Sequence, residues 1–356
     1  MFRKLAVALG ILAGLIVTAC ATAPATTPSP LPGVSFRIVE TNGIKLRVAE
    51  AGQGPLVILI HGWPESWYSW RHQIPVIAAA GYHVVAPDMR GYGKSDKPAA
   101  VEDYDIHHTT ADIVGLIDAM GERQAILIGH DWGSIVTWNT TLLHPDRVSA
   151  MIAMSVPNGG RGTAAPTVGM KAANAGGENF YYILYHQEPG VAAKEYDADP
   201  RGLLSRLYAS NDTPRDPPTV TDPKRSAGGW IPRLGKPKAL PGWLKQEDLD
   251  YLVGEFIEAG FRGGVNYYRN MDRNWETTPQ LTGATIKVPV AFLAGEDDIV
   301  IRGAKEPMLR GQMTRVANDL RAVTLVPGAG HWIQQEKPEE TNAFILDFLK
   351  GLKPAP

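Results

Sequence analysis

The sequence predicts an α/β protein: a mostly parallel sheet flanked by helices, interrupted once by a mostly helical insertion. Three observations carry that expectation. Short continuous apolar runs such as Leu56-Val57-Ile58-Leu59-Ile60 read as strands buried on both faces. They alternate with stretches of helical spacing, as in βαβ units. The alternation stops between residues 158 and 280 and resumes afterwards, so a separate helical piece is inserted into the sheet order.

Length and composition bound the answer. The chain has 356 residues, enough for one large or two small domains, and 44% of them are hydrophobic, as in globular proteins. A net charge of −2, with no basic stripe and no acidic tail, argues against nucleic acid as a partner. Cys20 is the only cysteine, so no intrachain disulfide can form. No cluster of Cys and His suggests a metal, and no cofactor is expected.

Residues 1–20 read as a secretory signal: Arg3 and Lys4, an apolar run from Leu5 to Val17, then small residues. The run is short for a membrane span. Val17-Thr18-Ala19-Cys20 resembles a bacterial lipobox, which implies lipidation of Cys20 and an exported, periplasmic, membrane-anchored lipoprotein. Residues 21–33 are rich in Ala, Thr and Pro and are expected to form an extended, unfolded tether.

The first core segment spans 34–157. Residues 35–40 and 44–50 are expected to pair as a hairpin around Thr41-Asn42-Gly43. Residues 55–60 are a buried strand leading into His61-Gly62-Trp63-Pro64. Residues 82–87 form another strand, followed by Asp88-Met89-Arg90-Gly91, a loop expected to be structural and held by a salt bridge. A helix over 109–120, a strand over 125–128, a helix over 135–143 and a strand over 151–155 complete the segment.

The lid is expected over 158–280, with helical pieces near 179–186 and 246–260. Residues 214–241 are dense in Pro, Gly and Lys and read as a long mobile loop. Two tyrosine clusters stand out, Tyr181-Tyr182 with Tyr185 and Tyr267-Tyr268. On composition alone they pack the lid underside. The second core segment, 281–356, holds strands over 288–294 and 322–326 and a closing helix over 339–352.

Chemistry enters at Gly129-His130-Asp131-Trp132-Gly133, where a strand turns sharply into a helix. Glycines two before and two after Asp131 remove the Cβ atoms that would collide in so tight a turn. Serine is the usual occupant of such an elbow. An aspartate there attacks carbon directly and becomes an ester, which points to alkyl chemistry. Ser134 lies outside the bracket. His130 should face away into packing, since neighbours in the elbow point in different directions.

The remaining parts follow in chain order. Glu296, Asp297 and Asp298 follow one strand; Asp298, furthest past the strand end, is the favoured acid. His331, in Gly330-His331-Trp332 after a later strand, completes the order nucleophile, acid, histidine. Two backbone N–H groups, of Trp63 and Trp132, are candidate oxyanion donors. Pro64 allows a cis bond that would reorient the Trp63 amide.

Together these residues resemble the α/β-hydrolase fold and, more narrowly, the soluble epoxide hydrolases of plants and vertebrates, without the phosphatase-like domain of vertebrate members. The similarity runs from about Val34 to Leu352. In the lid, the stretch from Tyr182 through Tyr185-His186-Gln187-Glu188-Pro189-Gly190 and the stretch Phe261-Arg262-Gly263-Gly264-Val265-Asn266-Tyr267-Tyr268 resemble the family segments carrying two ring-opening tyrosines. The resemblance puts them at Tyr182 and Tyr268. Ile183 and His186 stand where the family more often has a polar residue and a carbocyclic aromatic one.

The implied activity is conversion of a small hydrophobic epoxide to a vicinal diol. Asp131 would form the ester. His331, oriented by Asp298, would activate the water that hydrolyses it. Tyr182 and Tyr268 would polarise the epoxide oxygen. The rivals are a haloalkane dehalogenase, which shares the Asp-His-Asp set but has no use for paired lid tyrosines, and a non-catalytic hydrolase-fold binding protein.

Overall fold

The computed structural model describes residues 27–210 and 212–352. The expected signal segment and Cys20 lie outside these residues. Nine strands form one sheet: β1 (Thr27–Pro28), β2 (Ser35–Thr41), β3 (Ile44–Ala51), β4 (Leu56–Ile60), β5 (His83–Pro87), β6 (Ala125–His130), β7 (Val148–Met154), β8 (Ile286–Gly295) and β9 (Ala317–Val326). Their order is β1-β2-β3-β5-β4-β6-β7-β8-β9. The first three pairings are antiparallel, and every pairing from β5 to β9 is parallel. The hairpin turns through Asn42 and Gly43, at φ 48° and 75°, as a two-residue Asn-Gly turn favours.

The folded chain starts ahead of Val34. Thr27 and Pro28 pair with Phe36 and Ser35, and the Ser29 hydroxyl bonds the Leu31 carbonyl at 3.0 Å. The expectation of an unfolded tether over 21–33 therefore fails at its end. Leu31 has apolar surface to cover and packs against the core cluster. Proline is tolerated there because β1 is an edge strand.

Register sets the site. Ile60 of β4 stands opposite Gly129 of β6, so the loop at 61–64 emerges beside Asp131. Gly295 of β8 stands opposite Val326 of β9, so the loop at 296–298 emerges beside the one leading to His331. The order reverses around β4, the kind of switch point where open α/β sheets bind ligands. Alternate residues of the inner strands feed the cores on the two faces: Leu56, Ile58 and Ile60 one, Val57 and Leu59 the other.

The core helices are α1 (Ile74–Ala79), α2 (Ile106–Ala119) and α3 (Trp132–Leu143). The lid then supplies α4 (Pro166–Ala173), α5 (Tyr182–His186), α6 (Val191–Ala198), α7 (Pro200–Leu207), α8 (Gln246–Ala259), α9 (Arg262–Arg269) and α10 (Met271–Thr277). After β8 come α11 (Glu306–Met313), α12 (Ile333–Glu336) and α13 (Pro338–Lys350). Several of these are short and open on proline, which suits the first helical turn because its N–H would be unpaired anyway. Pieces of eight residues span too few turns for a repeat to stand out, and α4 and α7 fall outside the expected helices, whereas α13 matches the expected closing helix.

Residues 214–241, expected as a bare loop, are anchored. Arg215 bridges Pro237, Asp216 N–H donates to the Lys236 carbonyl at 2.8 Å, and the amides of Trp230 and Ile231 donate to Glu195. Prolines remove donors, but enough amides remain to tie the stretch to α6.

The Asp88–Gly91 loop is held by ion pairs, with partners outside the loop. Arg90 pairs with Asp112 of α2, and Asp88 with Arg47 of β3. Arg47 also takes Glu255 of α8, through Nη1 at 3.2 Å and through Nη2. One buried guanidinium thus joins sheet, loop and lid. Removing one member of such a buried set leaves uncompensated charge. Arg47→Ala should destabilise the fold by about 3–5 kcal/mol. The check is a lowered urea midpoint at unchanged slope; an unchanged midpoint would refute it.

Candidate active site

Asp131 ends β6 at φ 53° and ψ −117°, outside the regions that side-chain-bearing residues ordinarily occupy. The bracket explains why this turn is possible. A Cβ on Gly133 would lie 1.9 Å from the Ile60 carbonyl oxygen, and one on Gly129 would lie 2.1 Å from the Gly133 carbonyl oxygen. The turn lifts the carboxylate toward the loop after β4. There the Trp63 amide donates to Asp131 Oδ1 at 2.8 Å. The Trp63–Pro64 bond is cis. Trp132 opens α3, so its amide has no partner inside the helix. The described hydrogen bonds to Asp131 include the first of the two expected donors and not the second.

His331 stands between two carboxylates. Its Nδ1 donates to Asp298, 3.0 Å from Oδ1 and 3.1 Å from Oδ2, and its Nε2 lies 3.6 Å from Asp131 Oδ2. Burial disfavours the charged ring, but Asp298 and then Asp131 outweigh it and hold the imidazole well above its ordinary value. Asp298 is fully buried; its burial is opposed by His331, by the Val300 amide and by Ser155, which together hold the carboxyl below its usual range. Glu296, a competing acid, pairs instead with Lys305 at 3.0 Å.

His130 faces away from the cavity, into a polar network. Its Nδ1 lies 2.5 Å from Glu65 Oε1, and its Nε2 donates to the His331 carbonyl at 2.7 Å. Glu65 also accepts from the Gly62 amide at 3.1 Å. The network ties the loop under Trp63 to the backbone of His331. Sequence reasoning assigned Glu65 nothing, because its histidine partner lies far away in the chain.

The lid closes over these groups. Gly263 and Gly264 let α9 lie directly on the core: a Cβ on Gly263 would meet Gly91 Cα at 2.5 Å, and one on Gly264 would meet Trp63 Cδ1 at 2.5 Å. That approach carries Tyr268 to the site, its ring edge-on to Trp132 at 5.1 Å. Tyr182 comes from α5 and stacks on Trp230 at 4.7 Å; its ring centre is 5.9 Å from that of Tyr268. The two helices are tied by Gln187, whose Nε2 donates to the Tyr268 carbonyl at 2.8 Å.

The other tyrosines point elsewhere. The Tyr185 hydroxyl donates to Glu195 at 2.9 Å, and that of Tyr267 to the Arg90 carbonyl at 3.0 Å. Burial, followed by the charge of Asp131, holds the phenols of Tyr182 and Tyr268 well above their usual value, so both are protonated. His186 packs edge-on against Tyr268 at 4.5 Å and Trp63 at 5.0 Å; burial lowers its pKa to about 3, so its ring is neutral.

Asp131, Tyr182, Tyr268 and His331 line one cavity of about 540 Å³, with Trp63, Phe180, Leu207 and Trp230 among its apolar walls. That volume suits a small organic molecule. Trp230 comes from the stretch read as a loop, and no local pattern marked it as a wall residue. Among the described residues, no three His, Cys, Asp or Glu side chains gather as a metal site would require.

Comparison with known proteins agrees with this geometry. A family model described as alpha/beta hydrolase fold matches residues 55–338. Epoxide hydrolase A of Mycobacterium tuberculosis is 49% identical over 320 residues, covering 89% of this chain and 98% of the relative. Epoxide hydrolase 1 of Siraitia grosvenorii is 40% identical, covering 88% and 97%. The crystal structure of Epoxide Hydrolase A from Mycobacterium thermoresistibile superposes with a TM-score of 0.82 at 49% identity, over 90% of this chain and all of that one. The chain therefore belongs to the α/β-hydrolase family and, within it, to the epoxide hydrolases.

Proposed function

We propose that this enzyme opens epoxides to vicinal diols through an ester on Asp131. The observation that carries the reading is the facing of two protonated lid tyrosines and one carboxylate–histidine pair across a single cavity. Asp131 Oδ2 attacks an epoxide carbon and the carbon–oxygen bond of the ring breaks. The released oxygen takes a proton from Tyr182 or Tyr268. Halide release would need no such proton, which is why the tyrosines favour epoxides over haloalkanes.

In the second half of the reaction esterification has removed the Asp131 charge that helps hold the ring's proton; the ring returns that proton to the tyrosinate, and the neutral His331 Nε2 then takes a proton from water, whose oxygen adds to the ester carbonyl. Oδ1, already bonded to the Trp63 amide, becomes the oxyanion, with the Trp132 amide as the second donor. Collapse breaks the bond between the Asp131 carbonyl carbon and the alkyl oxygen; His331 gives its proton to the leaving alkoxide, which departs as the diol, and then takes up the acid proton left on Asp131, so carboxylate and imidazolium are restored. Asp298 holds the ring and stabilises its cation without taking its proton, by analogy with the serine triad. The apolar walls suit a small hydrophobic substrate, and no cofactor enters any step.

Asp131→Ala should abolish turnover of an epoxide panel, while His331→Gln should let the ester accumulate. Single turnover in heavy-oxygen water should label Asp131 before free diol; label found only in the diol would mean direct attack by water. Tyr182→Phe and Tyr268→Phe should each slow alkylation by roughly ten- to a thousandfold, taking general acid catalysis at about 10²–10⁴ with partial rescue by the other tyrosine. Unchanged epoxide turnover in both variants would sink the tyrosine assignment.

The raised pKa of His331 also sets a pH dependence of stability. The unfolded ring titrates near 6.5 and the folded ring well above that value. Its contribution is fully present below pH 6.5 and is lost as pH rises through the folded pKa. The gap in melting temperature between the parent and His331→Gln should therefore shrink from neutral to alkaline pH. A gap that widens would contradict the ion pair.

The location follows from residues 1–20 and is a proposal on sequence alone: export, with lipid attachment at Cys20 and a periplasmic, membrane-anchored enzyme. Labelled palmitate should enter the parent and not Cys20→Ser. Equal incorporation, or a fully soluble mature protein, would remove the anchor.

A further inference from the structure

The backbone around His331 is held from two sides. On the carbonyl side, His130 Nε2 donates to the His331 oxygen at 2.7 Å and the Ser155 hydroxyl at 3.2 Å. Both belong to the sheet, at the ends of β6 and β7. On the amide side there is one group. Glu336, at the end of α12, accepts from the Gly330 amide at 2.7 Å through Oε2 and from the Trp332 amide at 2.9 Å through Oε1. Its own amide donates back to the Trp332 carbonyl at 2.8 Å. One carboxylate thus bridges the residues immediately before and after the histidine, and it does so from the wall of the catalytic cavity.

We propose that Glu336 is a positioning residue for the hydrolytic half of the reaction: by fixing the amides on both sides of His331 it aims Nε2 at the water that attacks the ester. The inference rests on the ester reading above. Its chemistry is specific to two acceptor oxygens. A carboxylate can receive both amides at once, and charge-assisted bonds to N–H groups are roughly twice as strong as neutral ones. An amide side chain keeps the shape but offers one acceptor, so one flank of the loop is freed. Alkylation does not need this aim. It uses Asp131 and the lid tyrosines, and Asp131 is set by the elbow and by Trp63, none of which touches Glu336.

The two half-reactions therefore separate the role from a general loss of structure. With styrene oxide as the probe, rapid mixing, acid quench and mass measurement of the intact protein follow the ester directly. In Glu336→Gln we expect alkylation within about twofold of the parent and ester hydrolysis at least about tenfold slower, so that the ester accumulates. Steady-state kcat and KM should fall together, leaving kcat/KM nearly unchanged. Glu336→Ala, which loses both acceptors, should slow hydrolysis further; should it not fold, the Gln variant decides alone.

Equal slowing of both steps, or of neither, overturns the positioning role. Ester trapped in His331→Gln but in no Glu336 variant also overturns it and leaves the ester mechanism standing. If no ester forms in His331→Gln either, the covalent mechanism falls and this role falls with it.

Discussion

Asp131 occupies a backbone geometry that no side-chain-bearing residue adopts unless its surroundings force it. The force comes from packing. Strand β6 runs beside β4, helix α3 folds back against both, and glycine at 129 and 133 lets the three backbones close to contact. A strained residue persists only when the structure around it over-determines its conformation, and here the strain has a chemical use. It turns a carboxylate into the cavity at the carboxyl ends of the strands, within reach of the Trp63 amide on one oxygen and of His331 on the other.

Around that turn the buried charged groups have polar partners, although burial still raises the carboxyls of Glu336 and Glu255. Asp298 is answered by His331, Glu65 by His130 and the Gly62 amide, Glu336 by two amides, Arg47 by Asp88 and Glu255. Buried charge would otherwise be costly. Several pairings also do geometric work, because Asp298–His331, Glu65–His130 and Arg47–Glu255 link chain segments far apart in sequence. The tyrosines are the exception to charge, kept neutral by burial.

The core was legible in the chain because its signals are local. A parallel strand buried on both faces must be apolar throughout, as Leu56 to Ile60 is, and a tight elbow must clear its Cβ atoms, as Gly129 and Gly133 do. The lid was less legible for the opposite reason. Helices such as α6, α7 and α9 are only eight residues long, too short for a repeat to be read with assurance, and are held by what they touch. Gly263 and Gly264 read as poor helix formers, yet they are what lets α9 reach Trp63 and Gly91. Tyr182 could be separated from Tyr185 only through resemblance to relatives, since neighbouring tyrosines look alike until one hydroxyl is seen bonded to Glu195. Glu65 and Trp230 carry no local mark, because His130 and Tyr182, which they meet, are brought to them by the fold; Glu336 bonds nearby amides that nothing in the pattern singles out.

The insertion point of the lid, between β7 and β8, has an evolutionary consequence. Asp131, His331 and Asp298 are carried by the sheet, while Tyr182, Tyr268 and most of the cavity wall are carried by one continuous insert. Drift within the insert can reshape which molecules fit without disturbing the apparatus that regenerates the enzyme. Drift in the sheet has no such freedom. A lineage built on this plan can diversify its diet through one segment of chain and keep its chemistry constant through the other.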